Sequence, residues 1–184
     1  MTARITPALP PFSPEIQSSL DAVMRGKPPL VLFTTLARDP RLFQKFFAGG
    51  LLDRGNLTLR QREIVIDRTT ALCKSEYEWG IHIAAFAAHA GLDGVQVESL
   101  AKGGPADVCW TGDERLLLNL CDQLHANCTI DEDLWLALAS VFSDEAILEL
   151  LLLAGFYHTV SYLTNALRLP LEPGTARFPS TAMD

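Results

Sequence analysis

The chain has 184 residues, of which 48% are hydrophobic and 20% charged, with a net charge of −7. That length and balance fit one globular domain built on one sizeable core. Lys and Arg form no cluster able to displace counterions from a phosphate backbone, and the acidic excess opposes an anionic lipid surface, so neither nucleic acid nor a membrane is expected as a partner.

The chain opens MTARITPALPPFSPE, with no basic start followed by an apolar run, so no secretory signal is expected. Pro7, Pro10 and Pro11 make residues 1–12 an extended arm. Ser13-Pro14-Glu15 reads as a helix start, with Ser as cap and Pro in the first turn, and that helix should end near Gly26. A second helical stretch is expected from Leu30 to Ala37. A third follows Asp39-Pro40 and carries Leu42, Phe43, Phe46 and Phe47.

Three later helices open on capping boxes, in which a Thr accepts from the third residue's N–H and an acid or amide bonds back. They begin at Thr58 (with Gln61), Thr111 (with Glu114) and Thr129 (with Glu132). Ser143 adds a cap with acids in the first turn. Leu150 to Leu167 carries no formal charge but holds His158, Ser161, Tyr162 and Asn165, so it reads as a buried or subunit-facing helix rather than a membrane span. Alternating apolar and polar residues never persist, whereas i, i+3, i+4 spacing does, and the expected fold is all-α. The domain is expected over 13–169, with a Pro- and Gly-rich tail over 170–184. Cys73, Cys109, Cys121 and Cys128 show no CxxC spacing, which suits free thiols in a reducing cytoplasm.

Chemistry concentrates between residues 58 and 91. Leu59, Glu63, Ile66, Thr70 and Cys73 share one face of the helix opened by Thr58, which puts the Glu63 carboxylate on a core-facing stripe. Burying it is costly unless it is paired, to Arg62 or Arg68 for instance. In the following EYEWGIHIAAFAAHAG segment, Glu78, His82, Phe86 and His89 lie on one face, and the small residues around them suit a central helix. Glu78 and His82, one turn apart, can form a carboxylate–imidazole pair able to relay protons near neutral pH, or an internal hydrogen bond that merely satisfies both groups. His89 reads as structural or superficial. A metal held by Glu63, Glu78 and His82 is not expected, since E-x-x-x-H with a distant Glu is a weak signal, and Cys and His offer no tight cluster elsewhere.

The stretch LTLRQREIVIDRTTALCKSEYEWGIHIAAFAAHAGL resembles the core of the carboxymuconolactone decarboxylase / alkylhydroperoxidase D-like family, and GFYHTVSYLTNALRLPLE resembles the C-terminal helix of one subgroup. The resemblance implies an AhpD-like helical bundle, a single domain and homo-oligomers, commonly trimers or hexamers. In the family's peroxidase branch a glutamate is followed twelve positions on by C-x-Y-C-x-x-x-H. Glu63, Tyr77 and His82 fit that pattern, but Ser75 and Glu78 stand at the two cysteine positions. Serine and glutamate cannot form a disulfide, so dithiol peroxidase activity is not expected. A glutamate four residues before the histidine is similar to the decarboxylase branch.

The expected function is therefore a cofactor-free acid–base enzyme, of decarboxylase or lyase type, on a small organic acid or lactone. Glu63, Glu78 and His82 would be catalytic, and Tyr77, Tyr157, His158 and Tyr162 would line the substrate. Arg62 or Arg68 could clamp a substrate carboxylate. Two alternatives stand beside it. One is a redox protein using Cys73, whose place near a helix C-terminus disfavours thiolate. The other is a non-catalytic helical binding or scaffold protein.

Overall fold

The computed structural model describes residues 3–51 and 53–180. Among them all regular structure is helical: α1 (Pro14–Met24), α2 (Val31–Leu36), α3 (Pro40–Ala48), α4 (Leu59–Leu72), α5 (Glu76–Phe86), α6 (Gly94–Lys102), α7 (Gly112–Asn127), α8 (Glu132–Val141) and α9 (Asp144–Ala166).

Local chemistry explains most of the helix starts. Ser13, Asp39 and Ser143 each accept a hydrogen bond from a first-turn backbone N–H, and Thr58 and Thr111 form complete capping boxes with Gln61 and Glu114. The third expected box is not formed. Asp131 rather than Thr129 caps α8, because its carboxylate accepts from Leu134 N–H at 2.8 Å. A helix that the sequence pattern did not single out, α6, opens on an equivalent box made by Asp93 and Gln96.

The central element is α4, which packs against α5, α6, α7 and α9. Its residues 63–70 are buried on every side, not along one stripe. This corrects the expectation that the following helix, α5, is the central one. Ile64, Val65 and Ile66 are fully buried in the main core with Leu100, Leu117, Leu118, Leu120 and Leu150. Each such side chain contributes about 1.5–3 kcal/mol by leaving water. A smaller cluster of Ile16, Leu20, Ala37 and Phe43 joins α1 to α3. Arg68, on α4, donates to both carboxylate oxygens of Asp122 (2.6 and 2.9 Å) and to the Leu100 and Gly103 carbonyls, so it ties α4 to α6 and α7. It is thus not Glu63's partner, nor free to hold a substrate.

Two devices orient α5. Lys74 adopts φ 55°, in the left-handed region, and turns the chain sharply between α4 and α5. The tail then runs along α5: Ala176 N–H donates to the Gly80 carbonyl at 3.1 Å, and Phe178 packs on Trp79 with ring centroids 5.0 Å apart. A side chain at Gly80 would collide with the Ala176 carbonyl, so this crossing requires glycine.

By length and composition α9 could cross a membrane, yet it packs against α4, α5 and α8 as a core helix. Its polar residues are placed within the fold. Ser161 donates to the Tyr157 carbonyl, and the Thr164 hydroxyl lies 2.8 Å from that of Ser75.

Candidate functional site

Glu63 on α4, His82 and Glu78 on α5, and Tyr157 on α9 converge at one point inside the bundle. His82 Nδ1 lies 2.8 Å from Glu63 Oε2, and its Nε2 lies 3.4 Å from Glu78 Oε1 and 3.1 Å from the Tyr157 hydroxyl. The imidazole thus sits between two carboxylates. Accessibility falls off across the set: Glu78 is 8% exposed, His82 4% and Glu63 0%. Glu78 is the member nearest solvent, and its Oε2 has no hydrogen-bond partner among the described residues. Phe86, partly exposed, lies against the His82 ring at 5.3 Å, and Arg62 Nε approaches Glu63 Oε1 at 3.6 Å.

Burial alone would favour neutral His82. Hydrogen bonds and negative charge from Glu63 and Glu78 outweigh it and raise the imidazole pKa to about 10. At neutral pH His82 is therefore an imidazolium, with a proton on each nitrogen. Tyr157 is held well above its ordinary pKa, first by burial and then by the Glu78 and Glu63 charges, so it remains a hydroxyl.

The arrangement contains a group that the sequence reading missed. Asp67, one turn beyond Glu63 on α4, is fully buried, and neither of its carboxylate oxygens has a hydrogen-bond partner among the described residues. Burial raises its pKa well above the ordinary range. His82 opposes that shift, and Glu63 and Glu78 add to it. The i, i+4 spacing of Glu63 and Asp67 was the available signal.

No family model matches the chain, and no curated protein does. Solved structures do. An uncharacterised peroxidase-related protein from Ralstonia eutropha JMP134, described as an alkylhydroperoxidase AhpD core, superimposes with TM-score 0.81 at 21% identity, covering 93% of both chains. A peroxidase-related protein from Silicibacter sp. TM1040 gives 0.82 at 18% identity over 96% of both. The debrominase Bmp8, in complex with 2,3,4-tribromopyrrole, gives 0.74 at 16% identity over 94% of both. The chain has the AhpD/carboxymuconolactone decarboxylase-like fold.

Within this AhpD-like fold, the two positions that hold cysteines in the peroxidase pattern do different things. Ser75 is fully buried and its hydroxyl is engaged by Thr164, whereas Glu78 turns towards His82. Of the seven side chains singled out from the sequence, four come together: Glu63, Glu78, His82 and Tyr157. Tyr77 points elsewhere. Its hydroxyl donates to Glu172 Oε1 at 2.5 Å and accepts from Leu32 N–H at 3.1 Å, so it anchors α2 and the tail rather than facing His82. His89 is exposed.

His158 and Tyr162 stand apart from this group, in a surface pocket of about 420 Å³. His158 follows Tyr157 directly, and one helical step turns it away. There it meets Cys73 and His125, a tight Cys–His cluster where none was expected. Cys73 caps the C-terminus of α4, and its thiol pKa is raised by burial, with Ser161 opposing. That environment does not favour the thiolate a redox role would need.

Proposed function

We propose that this chain is an acid–base enzyme, of decarboxylase or lyase type and needing no cofactor, acting on a small organic acid or lactone. The observation that carries the reading is the imidazolium of His82 clamped between two buried carboxylates, one of which, Glu78, keeps a buried oxygen with no hydrogen-bond partner among the described residues. Perturbed titratable groups gathered in one poorly hydrated place are a mark of catalytic sites. The fold supports a catalytic role in general, since a debrominase shares it.

Each group takes a role that follows from its depth. Glu63, fully buried, orients His82 and keeps it protonated. His82 is the proton store. Glu78, nearest solvent, faces the substrate and exchanges a proton with it. Tyr157 remains a neutral hydroxyl beside Nε2 and can hydrogen-bond a developing oxyanion. For a decarboxylation, the bond to the carboxylate carbon breaks, CO₂ leaves, and its electron pair stays on the substrate carbon. A proton from His82, delivered directly or through Glu78, completes the new C–H bond. The low-dielectric surroundings disfavour the ground-state carboxylate more than the dispersed charge of the transition state.

We also infer a soluble, cytoplasmic homo-oligomer, a trimer or hexamer. Leu148 (62% exposed), Leu151 (37%) and Leu152 (64%) form an exposed apolar patch near the start of α9, suited to burial against another copy.

The test is a turnover screen over small lactones, keto acids and hydroperoxides, with Glu78→Gln and His82→Asn beside the parent chain. The reading expects turnover of an acid or lactone that falls at least 100-fold in both variants, the range set by general acid–base catalysis. Peroxide reduction with a dithiol reductant, retained in both variants, would overturn it.

A further inference from the structure

We propose that Cys73, His125 and His158 form a binding site for one divalent cation of the zinc class, with a fourth coordination position open to the surface pocket. The site is separate from the Glu63–His82–Glu78 cluster: Cys73 lies ten residues beyond Glu63 along α4, about 15 Å of helix rise.

The three side chains come from three helices that the core holds in register. Cys73 is the C-cap of α4, His125 lies in the last turn of α7, and His158 lies in the middle of α9. Cys73 Sγ is 3.5 Å from His158 Nδ1 and 3.9 Å from His125 Nδ1, and His125 Nδ1 is 3.4 Å from His158 Nε2. One donor atom from each residue can be chosen so that all three lie within 4.8 Å of one another. Tetrahedral zinc, with bonds of about 2.0–2.1 Å to nitrogen and 2.3 Å to sulfur, separates its ligand atoms by about 3.3–3.6 Å. The set therefore needs only a small contraction and a modest turn of the His158 ring, so that one of its nitrogens faces the ion.

The donor chemistry selects the metal. One sulfur and two imidazole nitrogens suit Zn²⁺, and Co²⁺ or Ni²⁺ as substitutes, whereas Mg²⁺ and Ca²⁺ require oxygen ligands. Three protein ligands and a vacant fourth position are the pattern of reactive rather than purely structural zinc sites, where water or a small anion completes the shell. The pocket provides the room: it is about 420 Å³ and is lined beyond the ligands by Leu72, Lys74, Ser161, Tyr162, Asn165 and Ala166. Asn165 supports the first ligand from behind, donating its side-chain N–H to the Cys73 carbonyl at 2.8 Å and fixing the end of α4. His125 is exposed and Cys73 and His158 are partly so, which gives an ion a path from solvent.

The experiment uses the full chain, stripped with a chelator and titrated with Zn²⁺ against a chromogenic indicator, then with Co²⁺ followed by absorption. The proposal expects one ion per chain, tetrahedral Co²⁺ bands and a sulfur-to-cobalt charge-transfer band. Cys73→Ser should abolish the charge-transfer band, and His158→Ala should weaken Zn²⁺ binding about tenfold or more. Cys128→Ser, at an exposed thiol one turn from His125, should change neither, and azide should shift the Co²⁺ bands by entering the open position. Circular dichroism checks that each variant is folded. A charge-transfer band that survives in Cys73→Ser, or Zn²⁺ affinity unchanged in folded His158→Ala, would overturn the site. Co²⁺ bands indifferent to azide would overturn its open position.

Discussion

The two clusters share α4 and α9 yet lie on opposite terms with water. Tyr157 and His158 are neighbours in sequence; one points into the bundle beside His82 and the other out towards Cys73 and His125. Inside, where Glu63 and Asp67 are wholly buried, charge is costly: the carboxylates around His82 raise its pKa, and burial raises that of Asp67. Outside, burial is partial: the His158 pKa is lowered first by that burial and then by His125. The same two helices thus carry one cluster whose chemistry is proton storage and another whose open donors suit a metal. Depth, more than residue type, separates them.

That contrast can be broken by substitution. The largest effect is expected at His82. His82→Asn leaves Glu63 and Glu78 with no cation between them and should cost about 3–5 kcal/mol of stability at pH 7, read by urea unfolding. The pH profile sharpens the point. The folded pKa of His82, about 10, lies above its ordinary 6.5, so its stabilisation is complete below pH 6.5 and is lost as pH rises through about 10. The parent chain should lose stability across that window, and His82→Asn should lack the His82 part of this loss.

Asp67 is expected to act in the opposite sense. Its folded pKa is raised from 3.8, so the folded state holds a proton that the unfolded chain releases, and stability falls as pH climbs above that value. Asp67→Asn removes this penalty and should stabilise the chain by about 1–2 kcal/mol at pH 8, since a neutral group replaces a buried acid. A loss of similar size in thermal or urea unfolding would mean that Asp67 is ionised and paired. The smallest effect belongs to the outer cluster. Cys73→Ser, measured without added metal, should shift stability by less than about 0.5 kcal/mol, as expected for a partly exposed position.

The helices were legible because their signals are local. Thr58 with Gln61 and Thr111 with Glu114 are read four residues at a time, and each forms the box its spelling predicts. Asp93 with Gln96 spells the same box with an acid as its cap, and Asp131 displaced Thr129 because it stands at the position from which a carboxylate reaches the first-turn N–H. All of the inner site but Asp67 was equally legible: Glu78 and His82 sit one turn apart, the motif pairs them with Glu63, and Tyr157 stands in the C-terminal segment that carries the rest of the resemblance. Tyr77 was misplaced because a motif records which residue is present, not which way the tail pulls it, and Glu172, 95 residues away, claims its hydroxyl. The Cys73, His125 and His158 cluster left no local trace, since its members are separated by 52 and 33 residues and only the packing of α4, α7 and α9 unites them.

The account rests most directly on the charge of His82. Nitrogen-15 NMR of the imidazole rings in the full chain, with His82 assigned by its disappearance in His82→Asn, reads that charge as pH is varied. The account predicts that both His82 nitrogens remain protonated at pH 8 and titrate only near pH 10. A His82 ring that loses its proton near the ordinary 6.5, giving a neutral tautomer at pH 8, would contradict it.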